Sequence, residues 1–116
     1  MSVTRTERKQ WAREALRGIE NAIMPSVTPD LAALCEAGIR WDVRQAIAHG
    51  FFSTMCAVET GLTLAEQKRF VEIVCDEARG KILVSFTLLQ ASVEDSLELL
   101  AHAERFGASH ALPGYP

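Results

Sequence analysis

FFSTMCAVETGLTLAEQKR, residues 51 to 69, decides how the rest of the sequence is read. Its first half, Phe51 to Val58, is an apolar run of the length and composition of a buried strand. That strand delivers a single carboxylate, Glu59, to a turn made by Thr60 and Gly61. Thr63 and Glu66 then stand three residues apart, the spacing at which a threonine hydroxyl and a glutamate cap each other's backbone N–H groups. A helix is therefore predicted from about Leu64, with its positive end close to the carboxylate. In α/β folds, chemistry gathers at such C-terminal strand ends.

Working outward, the same alternation recurs. The predicted strands lie near 20–25, 51–58, 82–88 and 109–112. Helices are expected over Thr4 to Arg17, Ile39 to His49, the stretch from Leu64 to Gly80, and the stretch after Ser92. Leu31 to Gly38 reads ambiguously. Gly50, Gly80 and Gly107 end helices about 30 residues apart, one β/α unit each. Ile39, Val43, Ala46 and Ile47 form one apolar stripe, and Val71, Val74, Cys75 and Ala78 another. In the last helix the expected buried set is Val93, Leu97, Leu100 and Ala101. Trp11, Ala12, Ala15 and Leu16 give the first helix a short apolar face. Strands alternating with helices imply a parallel sheet with right-handed crossovers. Periodicity alone leaves an open doubly wound sheet and an arc of a barrel as equal alternatives.

Composition bounds the function classes. The 116 residues are 48% hydrophobic and 23% charged, with a net charge of −3. That balance suits an ordinary globular domain and gives no basic surface for nucleic acid. No apolar run reaches the roughly 20 residues of a membrane span. The N-terminal MSVTRTERKQW lacks an apolar signal core, so a cytoplasmic protein is expected. Cys35, Cys56 and Cys75 are unpaired in spacing and read as reduced thiols. His49, His102 and His110 have no metal-binding spacing, so neither a metal nor another cofactor is expected.

Four segments carry a family resemblance, over roughly Trp11 to Tyr115. They are Met24-Pro25-Ser26-Val27-Thr28-Pro29, Leu62-Thr63-Leu64-Ala65-Glu66-Gln67-Lys68-Arg69, Glu98 to Ala108, and Leu112-Pro113-Gly114-Tyr115-Pro116. In order and spacing the chain resembles the dihydrodipicolinate synthase / N-acetylneuraminate lyase family of class I aldolases. The resemblance implies the N-terminal half of a (β/α)8 TIM barrel: four parallel strands with crossover helices, and an extra N-terminal helix. Residues 1–18 would be that helix, and 19–116 the partial barrel. It also implies homo-oligomers and a lyase acting on pyruvate or another 2-keto acid through a Schiff-base lysine. A full barrel takes about 250 residues, so that lysine is expected outside this chain.

On this reading Tyr115 is the candidate catalytic phenol, able to relay a proton. Glu59, Thr60, Thr28 and Ser85 are the candidate substrate-binding residues at strand ends. Two departures mark a divergent branch. The family's Gly-Thr-Thr-Gly-Glu loop is here Cys56-Ala57-Val58-Glu59-Thr60-Gly61, and its Gly-Ser-Asn-Ser-Thr is Leu89-Gln90-Ala91-Ser92-Val93. The alternative reading is a non-catalytic half-barrel or a flavodoxin-like α/β binding module. With two open sheet edges and a wet inner face, the isolated chain is expected to dimerise or aggregate.

Overall fold

The computed structural model describes residues 3–114. Helix α1 (Arg8–Ala15) leads into β1 (Glu20–Ile23). Then follow α2 (Glu36–Ala48), β2 (Ser53–Cys56), α3 (Leu64–Ala78), β3 (Leu83–Leu88), α4 (Val93–Phe106) and β4 (His110–Pro113). The four strands form one sheet in the order β1-β2-β3-β4. Every pairing is parallel, with Glu20 beside Ser53, Cys56 beside Phe86, and Ser85 beside His110.

This order decides between the two topologies that periodicity left open. A doubly wound sheet reverses direction and carries helices on both faces. Here the order never reverses, and the strand residues in the core share one side of the pleat. Ile23, Cys56, Val84 and Phe86 are buried there with Ile39, Val43 and Ala46 of α2 and Phe70, Val71, Ile73 and Val74 of α3. The other side of the pleat carries Glu20, Ser53, Met55, Ser85, Thr87 and His110, by the same register. A parallel sheet coiled with all its helices outside is an arc of a (β/α) barrel, and this polar face is its interior.

Local chemistry explains where the elements begin and stop. Thr63 accepts from the N–H of Glu66 at 3.2 Å, and Glu66 accepts from the N–H of Thr63 at 3.0 Å, a complete capping box. The Thr63 N–H and hydroxyl, both donating to the carboxylate, hold the Glu66 carboxyl below its ordinary value of 4.5. This part of helix stability is therefore present above that value and is lost as the pH falls through the lowered one. Thr63→Ala should cost about 1 kcal/mol in a urea melt near neutral pH; an unchanged midpoint would show that the box does not hold α3. Ser92 caps α4 by accepting from the N–H of Asp95. Gly107 closes α4 at φ 108°, a left-handed conformation that a side chain would strain.

The helix faces were not all as the sequence suggested. The α2 and α3 stripes are buried as expected, apart from Ile47, which is half-buried, and α2 starts at Glu36 rather than Ile39. In α4 the prediction is overturned. Leu99 and Ala103 are its buried residues, while Val93 is 78% and Leu97 61% exposed, and Leu100 and Ala101 are exposed too. Apolar periodicity reveals that a helix has an apolar stripe, not which of two flanking stripes meets the sheet. Helix α1 is shorter than expected and buries no side chain.

Cys56 and Cys75 are buried, and desolvation raises both thiols, that of Cys75 to about 12. Cys35 is half-buried before α2. A thiol-specific reagent should thus label one cysteine per folded chain quickly and the other two only on unfolding. Rapid labelling of all three would contradict this packing.

Candidate functional site

The C-terminal strand ends place Glu59 where the sequence suggested. β2 ends at Cys56, and Ala57 and Val58 remain fully covered before the chain surfaces at Glu59. One element away, Thr87 lies in the last third of β3 with its side chain on the interior face. The Thr87 hydroxyl accepts from the N–H of Val58 at 3.2 Å and donates to the Glu59 carboxylate. Thr60 donates to the carbonyl of Ala57 at 3.1 Å and so closes the turn. Gln90, in the loop after β3, donates to the carbonyl of Thr87 and accepts from Ser96. The result is a surface carboxylate held over the interior by a buried hydroxyl, next to the N-terminus of α3. A substrate with its own hydroxyl, amine or ammonium could be held there.

The remaining candidates are elsewhere. Thr28 sits in the loop after β1, where it accepts from the N–H of Ala33 at 3.2 Å and donates to Asp30. Its hydroxyl is thereby committed to the loop. Ser85 is midway along β3, not at the mouth, and is fully buried. Tyr115 lies outside the described residues.

Ser85 belongs to a second polar group that the sequence did not reveal. Ser85 donates to Glu20 Oε2 at 2.9 Å, and His110 Nε2 meets the same oxygen at 2.9 Å. Ser109 Oγ lies 2.7 Å from His110 Nδ1. With a proton on Nε2, Nε2–H donates to Glu20, while the Ser109 hydroxyl lies between His110 Nδ1 and the carbonyl of Val84, 3.2 Å away, to which it donates. Glu20 on β1 thus reaches across β2 to β3 and β4, tying the arc together from inside. It lies toward the N-terminal ends of the strands, away from Glu59. No motif marks it, because its members are 65 and 90 residues apart. Only the parallel register, which could have been written down from the predicted strands, would have brought them together.

A hollow of about 700 Å³ is also at the N-terminal end. It is lined by Phe52, Arg79, Lys81 and Phe106 among others, at the turns into β3 and β4. In a (β/α) layout that end serves stability rather than chemistry. The strand-end group around Glu59 is therefore the better candidate. Among the described residues, no group of three or more His, Cys, Asp and Glu side chains is gathered as a metal would require. No described helix is long and apolar enough to cross a membrane.

The fold and this strand-end carboxylate define part of a parallel (β/α) barrel. The family follows from comparison with known proteins. The sequence is 33% identical over 105 residues to the 4-hydroxy-tetrahydrodipicolinate synthase of Methanopyrus kandleri, a match covering 87% of this chain and 35% of that protein. The dihydrodipicolinate synthase from Aquifex aeolicus shares the fold, with a TM-score of 0.75 and 20% identity over 84% of this chain and 35% of that one. So does the N-acetylneuraminate lyase from Fusobacterium nucleatum, at a TM-score of 0.72 and 24% identity over 85% and 36%. No protein-family model matches the sequence. The chain is thus similar, over most of its own length, to part of the dihydrodipicolinate synthase / N-acetylneuraminate lyase family of aldolases. It spans about a third of the length of the curated relatives it matches.

Proposed function

We propose that these residues contribute the first strands of a class I aldolase barrel that acts on pyruvate or another 2-keto acid, in a cytoplasmic homo-oligomer. The observation that carries this reading is the Glu59–Thr87 pair at the C-terminal ends of β2 and β3, on a fold shared with synthases and lyases of that family. Glu59 would position the substrate or the loops around it. Thr60 would contribute through its turn, and Tyr115 would supply a phenol for proton transfer. Thr28 and Ser85 remain proposals of a weaker kind, since both hydroxyls already serve internal partners.

The nucleophile would be a lysine amine, which attacks the ketone carbon to give a carbinolamine and then loses water to form the Schiff base. Such an amine needs a pocket that lowers its pKa. The three lysines here do not have one. Lys9 is exposed on α1, Lys68 is paired with Glu98 at 2.5 Å on the outer helical layer, and Lys81 is exposed at the turn into β3. The reacting lysine is accordingly placed outside these 116 residues. Incubating the purified chain with pyruvate and borohydride, then weighing it, should give no adduct. A stoichiometric, saturable adduct on Lys9, Lys68 or Lys81 would overturn this assignment.

A further inference from the structure

The hollow at the N-terminal ends of the strands is walled by this arc itself. Its lining comes mostly from the C-terminal ends of α3 and α4 and from the chain entering β3 and β4, at Lys81 to Val84 and at Ser109. A strand paired beyond β1 or β4 would leave these walls where they are, because β3 is an inner strand. The volume of about 700 Å³ falls within the roughly 300–1,000 Å³ of small-molecule sites. Glu59 and Thr87 stand at the opposite ends of the strands and take no part in it.

One part of the lining is aromatic and apolar. Phe52 is half-buried before β2, Ile82 and Val84 are buried, and Phe106 is 44% exposed in the last turn of α4. The Phe106 ring is already held, 4.7 Å from the ring of His102, which meets the Glu72 carboxylate at 3.0 Å. A flat apolar body gains contact there without the cost of ordering that ring. The other part is cationic. Arg40, Arg69, Arg79 and Lys81 stand against Glu72 and Asp76, in a chain whose net charge is −3. Arg40 and Arg69 are occupied by carboxylates of α2 and α3. Arg79 meets Asp76 through one nitrogen, and Lys81 has no ion-pair partner among the described residues. Helix C-termini attract cations, yet the carbonyls of Cys75 and Ala78 in α3, and of Ala103 and Glu104 in α4, already accept from backbone N–H groups. The Lys81 ammonium and the other nitrogens of Arg79 are thus left for an anion.

We propose that this hollow binds a small organic anion, a carboxylate carried on a flat aromatic body. The carboxylate takes Lys81 and Arg79, and the body lies against Phe106 and Phe52. Charge and ring together set the class. An acid without an apolar body loses the aromatic contacts, and a neutral ring of the same size loses the charge-assisted hydrogen bonds. Such a ligand bridges α3, β3 and α4, so it binds the folded chain alone and stabilises it. The proposal is independent of the 2-keto acid chemistry, which the lysine-trapping experiment tests separately.

Amide NMR spectra of the purified chain, titrated with cinnamate, should show saturable shift changes gathered at Phe52, Lys81, Leu83, Phe106 and Ser109, with a Kd below about 1 mM. Cinnamamide, the same body without the charge, and acetate, the charge without the body, should each bind at least about tenfold more weakly. Lys81→Glu should weaken cinnamate at least about tenfold, and Lys81→Arg should retain it. Lys81 is exposed, so both variants should fold as the unaltered chain does, and the same spectra show whether they have. Shifts that never saturate, that gather instead around Met55 and Glu59, or that cinnamamide reproduces at equal affinity overturn the proposal. So does a folded Lys81→Glu variant that binds cinnamate as tightly as the unaltered chain.

Discussion

Phe70→Ala is expected to cost about 3–5 kcal/mol, the largest loss of any single truncation proposed for this chain. Phe70 is on α3, wholly excluded from water in the central layer between the sheet and the helices. Its ring and that of Phe86 are the largest side chains in that cluster, and close-packed neighbours collapse only partly around the space it leaves. Against a total stability of roughly 5–15 kcal/mol, the loss would leave much of the population unfolded. Val93→Ala is the matching control. Val93 is 78% exposed, so the substitution should move a urea midpoint hardly at all, by about 0.5 kcal/mol or less at protein concentrations where the chain is monomeric. Equal effects at the two positions would mean that the α4 face has been placed wrongly.

The second large effect is expected at Glu20. Its carboxylate is the shared acceptor for Ser85 and His110, inside the curve of the sheet. Glu20→Ala leaves two donors in a covered site without an acceptor, which costs about 1–3 kcal/mol. Glu20→Gln keeps a carbonyl oxygen in the same place and should recover more than half of that loss. The discriminating measurement is a pair of denaturant curves at one pH. If Glu20→Gln is as damaging as Glu20→Ala, charge rather than the hydrogen bonds holds β1 to β3 and β4. If neither variant has any effect, the interior group contributes nothing to the fold.

How much of this was legible in the sequence depends on the range of the interaction involved. The Thr63–Glu66 box, the glycine stops and the α3 stripe are local, so their spacing alone shows them. The order of the strands follows from the β/α alternation combined with the crossover rule. The four quoted segments carried the family before any geometry was known. The α4 face was misread because Val93, Leu97 and Leu100 form a stripe as regular as the one through Leu99 and Ala103. Choosing between them requires knowing where α3 lies. Glu59 was found because a strand visibly ends at it. Its partner Thr87 carries no local signal, since the hydrogen bond spans 28 positions. Glu20 has no local signal at all, because its partners lie 65 and 90 positions away.

The central claim is that one unreversed parallel arc brings Glu59 and Thr87 together at its C-terminal ends. The most direct test is a nuclear Overhauser map of the folded chain in solution. The account predicts cross-strand contacts that follow the parallel register, Asn21 with Thr54, Met55 with Ser85, and Phe86 with Ala111, together with a contact between the side chains of Thr87 and Glu59. Antiparallel contacts between β2 and β3, or β1 lying beside β3 or β4 of the same chain, would contradict it.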